Sequence, residues 1–136
     1  MGCLDTTVFL DLAGRGGRAL CERAKAVLLD LSQHGDPLTT TRLNLAELYV
    51  GAARSARPHH ELARIQGWLA DVTILDFDDT AARVFGEVVG ELLARGAPIG
   101  DMDALIAAVA IRHNQTVITR NVKHFRAVPG LNVRGY

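Results

Sequence analysis

Asp5, Glu47, Asp101, Asp103 and Asn121 are the side chains best suited to catalysis, and each lies on or just beyond a segment that reads as a strand or a strand-to-helix junction. Several carboxylates brought to one place repel one another, and they cannot all ionise without a compensating charge. A hard divalent cation supplies that charge. Mg²⁺ and Mn²⁺ prefer carboxylate oxygen and keep waters that a phosphate oxygen can displace. The chemistry that follows is phosphodiester hydrolysis, in which the metal lowers the pKa of a bound water, orients the nucleophile and neutralises the leaving oxygen. Each residue also has a plainer reading. Asp5 fits equally well as a residue bonding the turn at Thr6-Thr7. Glu47 could be a solvated helix residue, although Leu45, Ala46, Leu48 and Tyr49 around it make a charge there less expected. Asp101 reads as a helix N-cap after Gly100, and Asp103 as the second residue inside that helix, where the dipole favours an anion. Asn121 fits a turn. The chemical reading rests on all of them following strands.

Other chemistries find less support. His59 and His60 are adjacent, so on a helix they point about 100° apart. His34, His113 and His124 show no ligand spacing. Gly14-Arg15-Gly16-Gly17 matches neither a Walker nor a dinucleotide pattern. No GxSxG elbow occurs, and neither Cys3 nor Cys21 has an evident activating base. Trp68, Phe77 and Phe85 sit at core-like positions and not as a platform for stacking bases. Of the 15 basic residues, 13 are arginine, the cation suited to bidentate phosphate contacts. Arg120, Lys123 and Arg126 follow the fourth strand. Arg15, Arg18 and Arg42 could share the same rim, though a scattered surface explains many of these charges.

Short apolar strands alternating with helices must position these residues. Gly2-Cys3-Leu4 is a strand and Thr6 to Leu12 a short helix. Leu20, Ala24, Val27, Leu28 and Leu31 give a helix from Ala19 to about Gln33. Pro37 to Thr40 is a second strand, and Thr41 caps a helix from Arg42 to about Ala53. Pro58 opens the next helix, and Val72 to Leu75 is a third strand. Asp78 or Asp79 caps a strongly amphipathic helix carrying Val84, Val88 and Leu92. Asp101 to His113 is apolar nearly all round and reads as a buried helix, ended by a left-handed Asn114. Thr116 to Ile118 and Asn132 to Arg134 complete the strands. The expected architecture is α/β, a three-layer α/β/α domain with a central parallel sheet of about five strands, in which ligands bind at the carboxyl ends.

The 136 residues suit a single domain, 1–136, with a core large enough to need no disulfide. The chain is 49% hydrophobic and 22% charged, which excludes disorder. Asp and Glu number 15 and balance the 15 basic residues, against a non-specific nucleic-acid binder. Two cysteines without CxxC spacing suggest a reducing compartment. No apolar run approaches a membrane span, and Asp5 and Asp11 interrupt the first apolar stretch, unlike a signal peptide. A cytoplasmic location follows as an expectation.

Three stretches carry a family resemblance: Leu4-Asp5-Thr6-Thr7-Val8-Phe9-Leu10, Asn44-Leu45-Ala46-Glu47-Leu48-Tyr49-Val50-Gly51-Ala52 and Pro98-Ile99-Gly100-Asp101-Met102-Asp103-Ala104-Leu105-Ile106-Ala107-Ala108. Thr119-Arg120-Asn121-Val122-Lys123-His124-Phe125 and Pro129-Gly130-Leu131 follow in order. Together they resemble the PIN-domain ribonucleases, specifically the VapC-type toxins of type II toxin–antitoxin systems. The resemblance implies a Mg²⁺-dependent endoribonuclease in which Mn²⁺ can substitute. Its acids fall on Asp5, Glu47 and Asp103, and its fourth position, often Asp, is Asn121 here; apart from the resemblance, Asp101 is expected as a further metal ligand that partly compensates for the missing charge. Thr6, Thr119 and Asn121 support the site, and Arg15, Arg18, Arg42, Arg120 and Lys123 are RNA-binding candidates. It also implies a VapB-type antitoxin partner that fills the acidic groove, DNA binding only through that antitoxin, a homodimer, and structured RNA as substrate. The alternatives are a PIN-like RNA- or protein-binding module with little catalysis and a non-toxin PIN nuclease that processes RNA. A phosphorylated receiver-like domain fits poorly, since no Lys follows the fourth strand before Lys123.

Overall fold

The computed structural model describes residues 1–136. Five strands, β1 (Gly2–Leu4), β2 (Leu38–Thr41), β3 (Thr73–Leu75), β4 (Thr116–Ile118) and β5 (Asn132–Arg134), alternate with seven helices: α1 (Thr6–Leu12), α2 (Arg18–Gln33), α3 (Arg42–Ala53), α4 (Pro58–Leu69), α5 (Asp79–Ala94), α6 (Asp101–Arg112) and α7 (Val122–Phe125). Every strand pair is parallel, in the order β3-β2-β1-β4-β5. The chain builds outward from β1 through β2 to β3, then returns to place β4 on the other side of β1. That reversal makes β1/β4 the topological switch point, where parallel sheets open a crevice at the strands' carboxyl ends. Leu4 pairs with Ile118 in register, so Asp5 and Thr119 emerge side by side.

The expected three-layer architecture is present. On one face, Val8 and Phe9 of α1, Val27 and Leu31 of α2, Leu45 and Leu48 of α3 and Ile65 of α4 close on Leu4 and Ile118. Trp68 joins this side, its ring centroid 5.7 Å from that of Phe9. On the other face, Val88 and Leu92 of α5, Ile106, Ala107 and Ala110 of α6 and Phe125 of α7 cover Val117. The apolar sequence of α6 has its expected cause, because Ala104 and Ala107 to Ala110 are all fully buried.

The boundaries differ from expectation in small, explicable ways. Asp101 is not the cap of α6: Gly100, with extended backbone, holds that place and offers no side-chain bond. Asp101 is the first helical residue and Asp103 the third. Phe77 is 38% exposed; it meets Phe85 edge-on at 6.4 Å and does not enter the core. The α7 turn was not anticipated, because four residues are too few to show a period. Asn114 does take the left-handed conformation, at φ 53°. Cys3 is fully buried, and desolvation pushes its thiol up to about 12, which leaves it inert.

Candidate active site

The site forms where β1, β4 and the first turns of α1 and α3 meet. Asp5 is the residue before α1, yet its side chain makes no capping bond to that helix. Buried at 6% exposure, the carboxylate accepts from three side chains instead. Asn44 Nδ2 donates to Oδ1 at 3.1 Å, while the Thr7 and Thr119 hydroxyls donate to Oδ2 at 3.1 and 2.7 Å. The turn-bonding reading of Asp5 therefore gives way to a held carboxylate with a defined orientation.

Asn44 organises the cluster, and reading the sequence assigned it no role. Thr41 caps α3 by accepting from the Asn44 backbone N–H at 3.0 Å, and its hydroxyl donates to Asn44 Oδ1 at 2.7 Å. With its amide oxygen committed, Asn44 must turn Nδ2 the other way. It donates there to Asp5 and, at 3.0 Å, to Thr6 Oγ1. Thr6 then donates to Glu47 Oε1 at 2.8 Å. One capping box thus orients Asp5 directly and Glu47 through Thr6. The sequence signal is the i, i+3 spacing of Asn44 and Glu47, which puts both on one face of α3.

The electrostatics tie the acids together. Burial raises the Glu47 carboxyl above its ordinary range, the Thr6 hydrogen bond opposes this, and the charges of Asp5 and Asp103 raise it further. Asp103 lies in the first turn of α6, and His124 Nδ1 stands 3.0 Å from its Oδ2. That contact arises because α7 packs against α6; no spacing in the sequence announces it. Asn121 precedes α7, and its backbone N–H donates to Thr119 Oγ1 at 3.0 Å. Asp101 stands apart. It is exposed and borders a separate hollow of about 190 Å³ with Val89, Leu93 and Ile99.

The donors are carboxylate oxygens, as a hard cation requires, and the mutual repulsion registered at Glu47 is what such a cation would relieve. In the present rotamers no three acidic, histidine or cysteine side chains close into a ready cage. Asp5, Glu47 and Asp103 turn instead to amide, hydroxyl and imidazole groups that a cation would share or displace. The residues present fit the metal in chemistry and charge.

The basic residues divide. Arg15 lines a groove of about 470 Å³ that also holds Thr6, Glu47, Arg54 and Trp68, and it lies 3.8 Å from Glu61. Arg18 and Lys123 are exposed without an ion-pair partner. Arg42 is engaged by Asp76 through Nε and Nη2 at 2.7 and 3.1 Å. Arg120 is engaged by Asp11, a fully buried carboxylate to which the sequence assigned no place in the site.

Comparison with known proteins agrees with this geometry. The PIN domain family model matches residues 2–131. The tRNA(fMet)-specific endonuclease VapC of Salmonella typhimurium is 33% identical over 69% of this chain and 71% of its own length. Ribonuclease VapC19 of Mycobacterium tuberculosis is 33% identical over 96% of this chain and 97% of its own. Among solved structures, VapBC2 from Rickettsia felis, bound to a DNA fragment from its promoter, superposes with a TM-score of 0.88 at 26% identity, covering 98% of this chain and 97% of that one. The VapBC-1 structure from nontypeable Haemophilus influenzae gives 0.85 at 27% identity, covering 98% and 96%. The fold, the order of the matching stretches and these relatives agree: the chain belongs to the PIN domain family, among its VapC ribonucleases.

Proposed function

We propose that the chain is the toxin of a type II toxin–antitoxin pair, an endoribonuclease whose working acids are Asp5, Glu47 and Asp103. The observation that carries this is the hydrogen-bond chain from Asn44 to Asp5 and through Thr6 to Glu47, which sets two carboxylates side by side at the switch point of the sheet. Glu47 is half-buried and feels the charges of Asp5 and Asp103, a conflict that a cation would resolve. PIN nucleases of this class depend on a metal; the assignment of Mg²⁺, with Mn²⁺ as substitute, is ours. When bound, the metal would supply an activated water and charge neutralisation at the phosphate.

The chain's own residues do the rest. Asp5 and Glu47 reach the metal from β1 and α3, and Asp103 from α6. Asn44, Thr6, Thr7 and Thr119 hold the first two in place and prevent their collapse onto other donors. Asn121 adds a neutral oxygen where a fourth acid would add charge. Arg18 and Lys123, which have no ion-pair partner, and Arg15, which Glu61 holds only at 3.8 Å, contact the RNA backbone. Arg42 and Arg120 carry other attachments. Asp101 belongs to a different surface, so its contribution to the metal is indirect.

The relatives extend the reading to partners. One is named for cleaving tRNA(fMet), and several solved neighbours are toxin–antitoxin complexes, some with DNA. The substrate here is therefore structured RNA. A VapB-type antitoxin occupies the groove beside Glu47 and carries any DNA contact. Homodimerisation, one domain over residues 1–136, and a cytoplasmic site of action belong to the same proposal. No helix is long and apolar enough to cross a membrane.

The test is cleavage of bulk bacterial RNA by purified wild type and Asp5→Ala, with and without Mn²⁺, mapping the new ends. Discrete 5′-phosphate ends that need both metal and Asp5 are expected. Equal cleavage by Asp5→Ala would defeat the assignment. A folded protein that binds RNA without metal and cuts none would instead be a PIN-like binding module.

A further inference from the structure

Asp11 is the most buried charge in the molecule and plays no part in the site described above. Its side chain is 0% exposed. Oδ2 accepts from Arg120 Nε at 2.9 Å and from the Tyr136 hydroxyl at 2.7 Å, while Oδ1 has no partner. Removing a carboxylate from water costs several kcal/mol, and an incomplete set of partners does not return that cost. An apolar side chain of the same branching would serve the core better. The charge must do something that packing does not.

What it holds is the segment after β4. Thr7 and Asp11 lie four apart on α1, on one face. Thr7 Oγ1 accepts the backbone N–H of Arg120 at 3.1 Å, and Asp11 accepts its guanidinium. The same Thr7 hydroxyl donates to Asp5 Oδ2, as does that of Thr119 next door. Main chain and side chain of Arg120 are thus both fastened to α1; the Thr119 contact to Asp5 Oδ2 depends on where that segment lies, and the Arg120 N–H on Thr7 Oγ1 leaves that hydroxyl's proton for the same oxygen. The loop Gly14-Arg15-Gly16-Gly17 closes over the far side. A Cβ on Gly16 would stand 2.6 Å from Asp11 Oδ1 and 2.6 Å from Leu20 Cδ1. Gly16 fits this close cover because it has no Cβ, while Gly14 and Gly17 take positive φ, 81° and 94°; together these account for a glycine-rich run that matched no phosphate-binding pattern. Tyr136 completes the enclosure, and Arg23 donates to its backbone carbonyl.

We propose that Asp11 is a positioning residue for the nuclease site: through Arg120 and Tyr136 it fixes the Thr119–Arg120 segment, and through Thr7 and Thr119 it sets the orientation of Asp5. Arg120 is then a clamp and not an RNA contact. The inference rests on the reading of Asp5 as a metal-binding acid.

The experiment uses the full chain, a fluorescent oligoribonucleotide carrying a cleavage site mapped with wild type, and Mn²⁺ alone followed by electron paramagnetic resonance. Asp11→Leu leaves Arg120 free to turn to solvent. Its kcat is expected to fall about tenfold and its Mn²⁺ affinity by a similar factor, the usual effect of losing a group that orients a ligand, with KM unchanged. Asp11→Asn keeps the shape and one acceptor oxygen, and should restore most of both. Wild-type kcat and Mn²⁺ affinity in folded Asp11→Leu would overturn the proposal. So would a change confined to KM, which would make Arg120 an RNA contact. If Asp11→Leu does not fold, Asp11→Leu with Arg120→Met removes both charges. A folded double variant with lost kcat supports the clamp; one with full kcat, or one that also fails to fold, overturns it. Asp5→Asn serves as control. If it still binds Mn²⁺ and cleaves, the underlying reading fails; if it is inert while Asp11→Leu is fully active, only the clamp fails.

Discussion

Glu47 shows how a site residue works against the fold that holds it. Burial, together with Asp5 and Asp103, raises its carboxyl above the ordinary value of 4.5. A raised carboxylate pKa means the folded state binds the proton more tightly than the unfolded state does. The ionised group therefore destabilises the fold once the pH passes above that ordinary value, and the penalty is fully present above the raised folded pKa. Glu47→Gln removes it. We expect this variant to melt a few degrees higher than wild type at neutral pH, within the range of roughly 0.5–2 kcal/mol found when functional strain is relieved. The difference should vanish as the pH falls below the ordinary Glu value, where both proteins are neutral at position 47. Calorimetry across that range, with RNA cleavage abolished throughout, checks it. A lower melting temperature for Glu47→Gln at neutral pH would show that the glutamate serves structure.

At the scale of elements, α3 carries both a structural signal and a catalytic one. The Thr41 cap was legible in the sequence, since a threonine before an apolar stripe has few other meanings. The same holds for α2, α5 and α6, whose long periods leave little freedom, and for the carboxylates that follow strands. Less was legible where a role depends on contacts across the fold. Asn44 looked like an ordinary polar residue because its bonds to Asp5 and Thr6 span 39 and 38 positions. Asp11 showed no role beyond interrupting the first apolar stretch, because its partners lie 109 and 125 residues away. Gly100 was passed over as a cap because its backbone geometry alone does the work. The division of labour in α3 can be tested. Thr41→Ala should cost about 1 kcal/mol of stability, as a lost N-cap does, and slow cleavage only modestly, since the Asn44 amide keeps its Asp5 and Thr6 acceptors. Asn44→Asp keeps the capping acceptor but places a second carboxylate against Asp5. Its cleavage should fall by about two orders of magnitude, an outer-shell loss at its upper limit. Melting curves beside initial rates separate the two, and equal damage from both variants would refute the distinction.

Across the whole molecule the formal charge is zero, yet it is not evenly mixed. Many arginines are spent internally: Arg42 on Asp76, Arg112 on Asp78, Arg120 on Asp11 and Arg134 on Asp30. Of the basic residues proposed to meet RNA, Arg18 and Lys123 carry no ion pair and Arg15 is held only loosely by Glu61, so these three are the phosphate contacts the proposal requires. A nuclease built this way should meet its RNA through few phosphates and draw its selectivity from shape. Each neutralised phosphate on a single strand contributes about −0.7 to the slope of log affinity against log salt. Binding of the oligoribonucleotide measured without divalent metal, where it is not cut, should therefore show a slope of roughly −2, the value for three contacts. Arg15→Ala, Arg18→Ala and Lys123→Ala should each flatten it by about 0.7, while Arg42→Ala leaves it unchanged because that guanidinium is already committed to Asp76. A slope several times steeper would mean that the RNA is held by broad electrostatics and that the internal pairs open on binding. An unaltered slope in all three rim variants would place the phosphate path elsewhere on the surface.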